Sequence, residues 1–226
     1  MKKETLQKRT KIANDIMYYI YTHIETNIDI EDLSIDLGIS KFHMHRIFKE
    51  AFGKNIYESI KSIRLQKASN LLLTNKYSTI SNIVNLCGYS SQSSFIKIFK
   101  DRFEMTPKEW KNGGYKEYSQ KILLQSQRAS QSKANFKDMV PTIVKMPAIE
   151  SFYIRNKGYN VNIKETWQKL QTWILTNDIT SYKRIALFHD NPTITPLNEC
   201  QYIGCIMVED KKSVKSDRLP NFKIAD

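Results

Sequence analysis

Ile83-Val84-Asn85-Leu86-Cys87-Gly88-Tyr89-Ser90 is the stretch whose reading decides the fold of this chain. Together with Thr79-Ile80-Ser81-Asn82 before it, it repeats the layout of an earlier block, Asp29-Ile30-Glu31-Asp32-Leu33-Ser34-Ile35-Asp36-Leu37-Gly38-Ile39-Ser40. Each block opens on a residue type that caps helices, Asp29 or Thr79, and reaches a glycine nine residues later, Gly38 or Gly88. Glycine there permits the positive φ of a tight turn between two helices. A serine then caps the next helix: Ser40 in the first block, Ser90 or Ser91 in the second.

The helices that follow also match. Met44, Ile47, Phe48 and Phe52 form one apolar stripe at helical spacing, and Phe95, Ile98, Phe99 and Phe103 repeat it 51 positions later. Capping boxes come after both, Asn55-x-x-Glu58 and Thr106-x-x-Glu109, with Pro107 suited to the first helical turn. Short helix, glycine turn and second helix make a helix-turn-helix, and it occurs twice. Charge follows the same division. Residues 11–40 hold one basic residue against six acidic ones, whereas residues 41–100 hold ten basic against two acidic. Such a concentrated positive field suits nucleic-acid phosphate.

Ile83 to Ser90, then Phe95, Phe99-Lys100 and Thr106-Pro107-Lys108-Glu109-Trp110, resemble the signature of AraC/XylS-type transcription regulators. The resemblance spans roughly Ile12 to Asn112 and implies seven helices, with a long linker helix, here about Ile56 to Leu73, between the two helix-turn-helix subdomains. Two positions depart from the pattern: Val84 stands where a small Ala is usual, and Glu104 stands at a helix-ending Gly position.

In a helix-turn-helix the second helix enters the major groove, and the face away from the core reaches the bases. With 44, 47 and 48 inward, the outward stripe is Phe42, His45, Arg46 and Lys49; shifted by 51 it becomes Ser93, Ile96, Lys97 and Lys100, with Gln92 just before. The family's base-contacting positions, carried across by resemblance, fall on Phe42, His45, Arg46, Gln92, Ser93 and Lys97. Arg46 suits guanine and Gln92 suits adenine. Ile96 is read either as a contact to a thymine methyl or as packing against a neighbouring helix, and Phe42 as a base or sugar contact. Lys41, Lys49 and Lys100 are read as phosphate contacts, which fix register without reading sequence. Both readers lie in one polypeptide, so a monomer can address two successive groove segments.

Other constellations fail on geometry. His43 and His45, two apart on a helix, point to nearly opposite sides and make no metal pair. Cys200 and Cys205 sit an odd distance apart in a strand-like run, and Cys87 reads as a small buried residue. Some DNA-repair methyl-acceptor proteins join an AraC-like domain to a four-cysteine zinc site; three cysteines in total exclude that reading. They equally exclude a disulfide framework and suggest a reducing compartment. No catalytic motif occurs, and no enzyme activity or cofactor is expected. With no apolar run of about 18 residues and a polar start, no membrane association is expected and a cytosolic location is.

The second half reads differently. Residues 114–138 are Lys-, Gln- and Ser-rich and suit a linker between a domain at 8–113 and another at 139–226. Thr142 to Lys145, Glu150 to Arg155, Arg184 to Phe188 and Gln201 to Val208 read as strands, and Ile163, Trp167, Leu170 and Ile174 as one amphipathic helix. The expected architecture is therefore an all-α DNA-binding domain followed by a smaller α+β domain.

Ile154 to Tyr159, Trp167, Leu170, Trp173, Asp190-Asn191-Pro192, Thr195-Pro196, Cys200-Gln201-Tyr202 and Cys205 are similar to the GyrI-like effector-binding domain. That resemblance implies an amphipathic, often cationic, ligand held between two duplicated units. The sequence ends at Asp226, where the second unit would start, so either the pocket is incomplete or two chains complete each other's by self-association. Tyr153, Tyr159, Trp167, Trp173, Phe188 and Tyr202 are the candidates to line it, because aromatic faces attract organic cations. The combined reading is a bacterial-type transcription regulator acting on double-stranded DNA, with RNA polymerase as a partner implied by resemblance. A small-molecule-sequestering protein, in which DNA binding is secondary, is the alternative.

Overall fold

A computed structural model describes residues 3–125, 149–209 and 221–224. The chain divides into two compact units, Met1–Tyr118 and Ser119–Asp226. Among the described residues, no helix is long and apolar enough to cross a membrane.

Helix α1 (Lys3–Thr22) leads into α2 (Ile30–Asp36) and α3 (Lys41–Phe52). Asp29 caps α2 by accepting from the backbone of Glu31 and Asp32, and Ser40 caps α3 by accepting from His43. Ile16, Met17 and Ile20 of α1, Ile30 and Leu33 of α2 and Met44 and Phe48 of α3 share one buried cluster. Ile56 and Ile60 of α4 (Ile56–Thr74) complete it, so the linker helix starts as part of the first core.

Helices α5 (Ile80–Leu86) and α6 (Gln92–Phe103) repeat the arrangement, with Thr79 and Ser91 as caps. Their core is aromatic: Phe95, Phe99 and Phe103 of α6 stack in succession, with Trp110 against the last two. Each such pair contributes about 0.5–1.5 kcal/mol beyond simple burial. Ile98, expected on the inward stripe, is only half-buried. The Trp110 indole N–H donates to the Ser69 carbonyl of α4 at 3.1 Å, so the far end of the linker helix belongs to the second core.

Both capping boxes form, Asn55 with Glu58 and Thr106 with Glu109. Both departures from the family pattern are accommodated: Val84 is buried, and Glu104 takes the left-handed conformation (φ 61°) that Gly53 adopts (φ 72°) at the end of α3. The short α7 (Pro107–Glu109) runs through a π-helical turn, Trp110–Gly114, and bends at Gly113.

One expectation fails here. The linker read from residue 114 opens instead as helix α8 (Tyr115–Gln125). Tyr118 anchors it: the side chain is buried against Phe103 and Trp110 and accepts from Arg102 at 2.6 Å. A polar surface had hidden a helix held by few side chains.

The second unit holds β1 (Ile149–Lys157), α9 (Asn162–Thr176), β2 (Tyr182–Phe188), β3 (Gln201–Val208) and β4 (Asn221–Ile224). Its antiparallel sheet has the order β2-β3-β1-β4. β4 was not expected, and the strand expected at Thr142 to Lys145 lies outside the described residues. One sheet face packs Phe152, Ile206 and Val208 against Leu170, Trp173 and Ile174 of α9. Gly204 allows that approach, since a Cβ there would lie 3.0 Å from Leu170 Cδ1 and 3.1 Å from Thr166 Cγ2. The opposite face gathers Tyr153, Ile203 and Cys205.

Candidate nucleic-acid interface

Helices α3 and α6 are each held by a buried row on one side, Met44, Ile47 and Phe48 in α3, and Phe95, Phe99 and Phe103 in α6. The other side is left to solvent. On α3, Lys41, Phe42, Arg46 and Lys49 are exposed, Phe42 to 77%. On α6, Gln92, Ser93, Lys97 and Lys100 are exposed and Ile96 is half-buried. Among the described residues, Phe42, in the first turn of a basic helix, lies outside every buried cluster.

Three of the expected contact residues, Lys41, His45 and Ser93, carry contacts that the sequence did not reveal. Lys41 Nζ donates to Glu31 Oε2 at 2.6 Å, and that hydrogen bond raises the lysine pKa above its ordinary value. His45 is half-buried because its ring stacks on Tyr57 of α4, with centroids 5.6 Å apart. Tyr57 itself is 62% exposed, and the sequence reading passed over it. Its signal was available: an aromatic residue in the first turn of α4, just beyond the cap at Asn55 and off the Ile56–Ile60 stripe. Ser93 Oγ lies 2.9 Å from Oγ of the cap residue Ser91, so the first turn of α6 begins with a small hydroxyl pair beside the Gln92 amide.

The arrangement presents guanidinium, ammonium, amide, imidazole and hydroxyl groups from helices whose ends are fixed by caps. Such groups donate to phosphate oxygens and to base edges.

In the second unit, four of the six expected aromatic residues come together. Phe188 stands edge-on to Tyr159 at 5.2 Å and to Tyr202 at 5.1 Å, and the Trp167 indole N–H donates to the Tyr202 hydroxyl at 2.6 Å. Phe188 is 63% exposed, so the row opens to solvent. Arg184 lies 5.9 Å from the Trp167 ring centroid. Tyr159 is fixed by its hydroxyl, which donates to Asp190 O at 2.8 Å and accepts from Asp190 N at 3.0 Å; burial pushes its pKa up to about 12. The other two stand apart. Trp173 packs on Phe152 inside the helix–sheet layer, and Tyr153 is buried on the opposite face of the sheet.

Residues 33–113 match a family described as a helix-turn-helix domain, and residues 139–224 match a GyrI-like small molecule binding domain. PqrA of Proteus vulgaris, a probable transcription factor, is 34% identical over 105 residues, covering 46% of this chain and 85% of that protein. The xylose operon regulatory protein of Escherichia coli K12 is 34% identical over 96 residues, 42% of this chain and 24% of that one; the match thus spans about a quarter of that protein's length. Among solved structures, the C-terminal domain of AraT, a response regulator from Geobacillus stearothermophilus, is similar at 25% identity with a TM-score of 0.43, covering 45% of this chain and 84% of that one.

Proposed function

Because this chain belongs to the AraC/XylS family of transcription regulators and carries a GyrI-like small-molecule binding domain, we propose that it reads two successive major-groove segments of one operator, with α3 in the first and α6 in the second. The observation that carries this reading is the exposure of Phe42, Arg46, Gln92, Ser93 and Lys97 on helices whose opposite sides bury Met44, Ile47 and Phe48, and Phe95, Phe99 and Phe103. Arg46 is assigned to a guanine and Gln92 to an adenine, with His45, Ser93 and Lys97 as further base contacts. Ile96, half-buried, keeps an edge free for a thymine methyl. Lys49 and Lys100 hold phosphates, and Lys41 joins them after exchanging Glu31 for a phosphate oxygen.

The aromatic row Tyr159, Trp167, Phe188 and Tyr202 is assigned to a small amphipathic effector, leaving Trp173 and Tyr153 to packing. We place the protein in the cytoplasm, acting on promoters with RNA polymerase as its partner and self-associating, where it does so, through the C-terminal unit.

Duplexes selected from a random pool by the purified protein give the operator. Arg46→Ala then costs roughly 1–3 kcal/mol on that site and relaxes preference at a single position. Equal weakening on selected and random DNA would remove Arg46 from base reading. The exposed Phe188 also favours a second reading, capture of a small molecule with DNA binding secondary. Arg46→Ala/Lys97→Ala separates the two, since a regulator loses promoter control in cells while a sequestering protein keeps its effect.

A further inference from the structure

The loop after α1, the middle of α4 and the turn between α5 and α6 meet at one guanidinium. Arg64 Nε donates to Ile24 O at 3.1 Å, and its Nη2 donates to Thr26 O at 2.6 Å. Both acceptors lie in the turn just past the end of α1 (Lys3–Thr22), on the side where the helix dipole favours a cation. Lys67, further along α4, pairs with Glu25 of the same loop.

On its other side Arg64 reaches the second helix-turn-helix. Its guanidinium carbon is 5.9 Å from the Tyr89 ring centroid. A Cβ at Gly88 would lie 2.6 Å from Ile24 O and 2.9 Å from Arg64 Nη2, so the second turn is pressed directly against the first subdomain. Tyr89 then packs on Phe95, the first buried residue of α6, with centroids 5.1 Å apart. Contact thus runs unbroken from the end of α1 through Arg64 to the second reading helix.

Neither core needs this residue. Helix α3 is held by Met44 and Phe48 in the first cluster, and α6 by its own aromatic stack with Trp110. What Arg64 adds is the joint between them. Lysine cannot replace it there, because two carbonyls are bridged by one planar fork.

We infer that Arg64 is a positioning residue for DNA reading: it fixes the separation and angle of α3 and α6, and so the half-site spacing that the protein accepts. The inference rests on the two-groove reading. One added base pair moves the second segment about 3.4 Å along the duplex and about 35° around it. A rigid joint rejects that displacement, and a loosened joint follows it.

The test uses the full chain on the selected operator, on duplexes with one base pair inserted or removed between half-sites, and at low salt on a duplex keeping the first half-site alone. Wild type is expected to lose about tenfold or more on the respaced duplexes. Arg64→Ala and Arg64→Lys narrow that penalty several-fold while binding the single half-site as wild type does. Either variant, with wild-type helical circular dichroism, keeping the full spacing penalty overturns the inference. So does a uniform loss on every duplex, the single half-site included, which is what a merely structural role produces. Should Arg64→Ala not fold, Arg64→Lys and Gly88→Ala carry the same measurement at the same joint. Wild type indifferent to spacing sinks the two-groove reading itself, and the role of Arg64 with it.

Discussion

Glu104 shows how a single residue can hold a motif without the residue type the motif prefers. It closes α6 with φ 61°, and its backbone N–H donates to Lys100 O at 2.8 Å, as Gly53 N–H donates to Lys49 O at the end of α3. A side chain in that region costs about 1–2 kcal/mol. Glu104→Gly is therefore expected to stabilise the first unit by about 1 kcal/mol, read as a higher midpoint in denaturant; an unchanged midpoint would mean the glutamate side chain offsets the strain. At this scale the sequence was informative where spacing decides: the stripes 44, 47, 48, 52 and 95, 98, 99, 103 follow from helical period alone, and all but Phe52 and Ile98, both half-buried, lie in the core. Pairings were not legible. Lys41 with Glu31 and His45 with Tyr57 depend on the angle between successive helices, which no period encodes.

Among the elements, the caps and glycine turns located α2, α3, α5 and α6, whereas α4 came from the family resemblance, which implied a linker helix at about Ile56 to Leu73. Helix α8 escaped because the residues that hold it, Tyr118 foremost, are few and the rest of its surface is polar. β4 escaped because four residues, Asn221–Ile224, carry no alternation long enough to read; they become a strand by pairing with β1. The aromatic candidates were sorted only by the sheet, since alternate residues such as Phe152 and Tyr153 face opposite layers. His189, just past β2, carries a pH prediction for this unit. Burial, and secondarily the nearby Arg155 charge, lower its pKa from 6.5 to about 4. The folded unit keeps the imidazole neutral while the unfolded chain binds a proton below about 6.5, so stability is full above that pH and falls as pH drops toward about 4. Between about pH 7 and about pH 5 the loss is about 2 kcal/mol, followed in thermal melts by Trp167 and Trp173 fluorescence. A His189→Gln protein that keeps the same pH dependence would assign it elsewhere.

For the whole molecule, the net charge of +12 matters through where it falls, across residues 41–100 rather than 11–40. If the two readers together touch about six phosphates, affinity falls about a thousandfold between about 50 and about 200 mM salt, with a log–log slope near roughly −5 in titrations at several salt concentrations. A slope near roughly −2 would leave room for only one reader on the duplex. Division into a helical domain and a mixed one was legible from the change in period after Gly114. The joint at Arg64 was not, because an arginine on a long helix reads as a solvated side chain until the loop beyond α1 is seen to fold back onto it.

The two helices proposed to read DNA share a scaffold but not a vocabulary: the proposed contacts are Phe42, His45 and Arg46 on one, Gln92, Ser93 and Lys97 on the other. A pair of identical subunits would spell a palindrome. On the proposed two-groove reading this chain spells a word with a beginning and an end, so flipping the operator in a promoter would turn the bound molecule to face the opposite way along the chromosome.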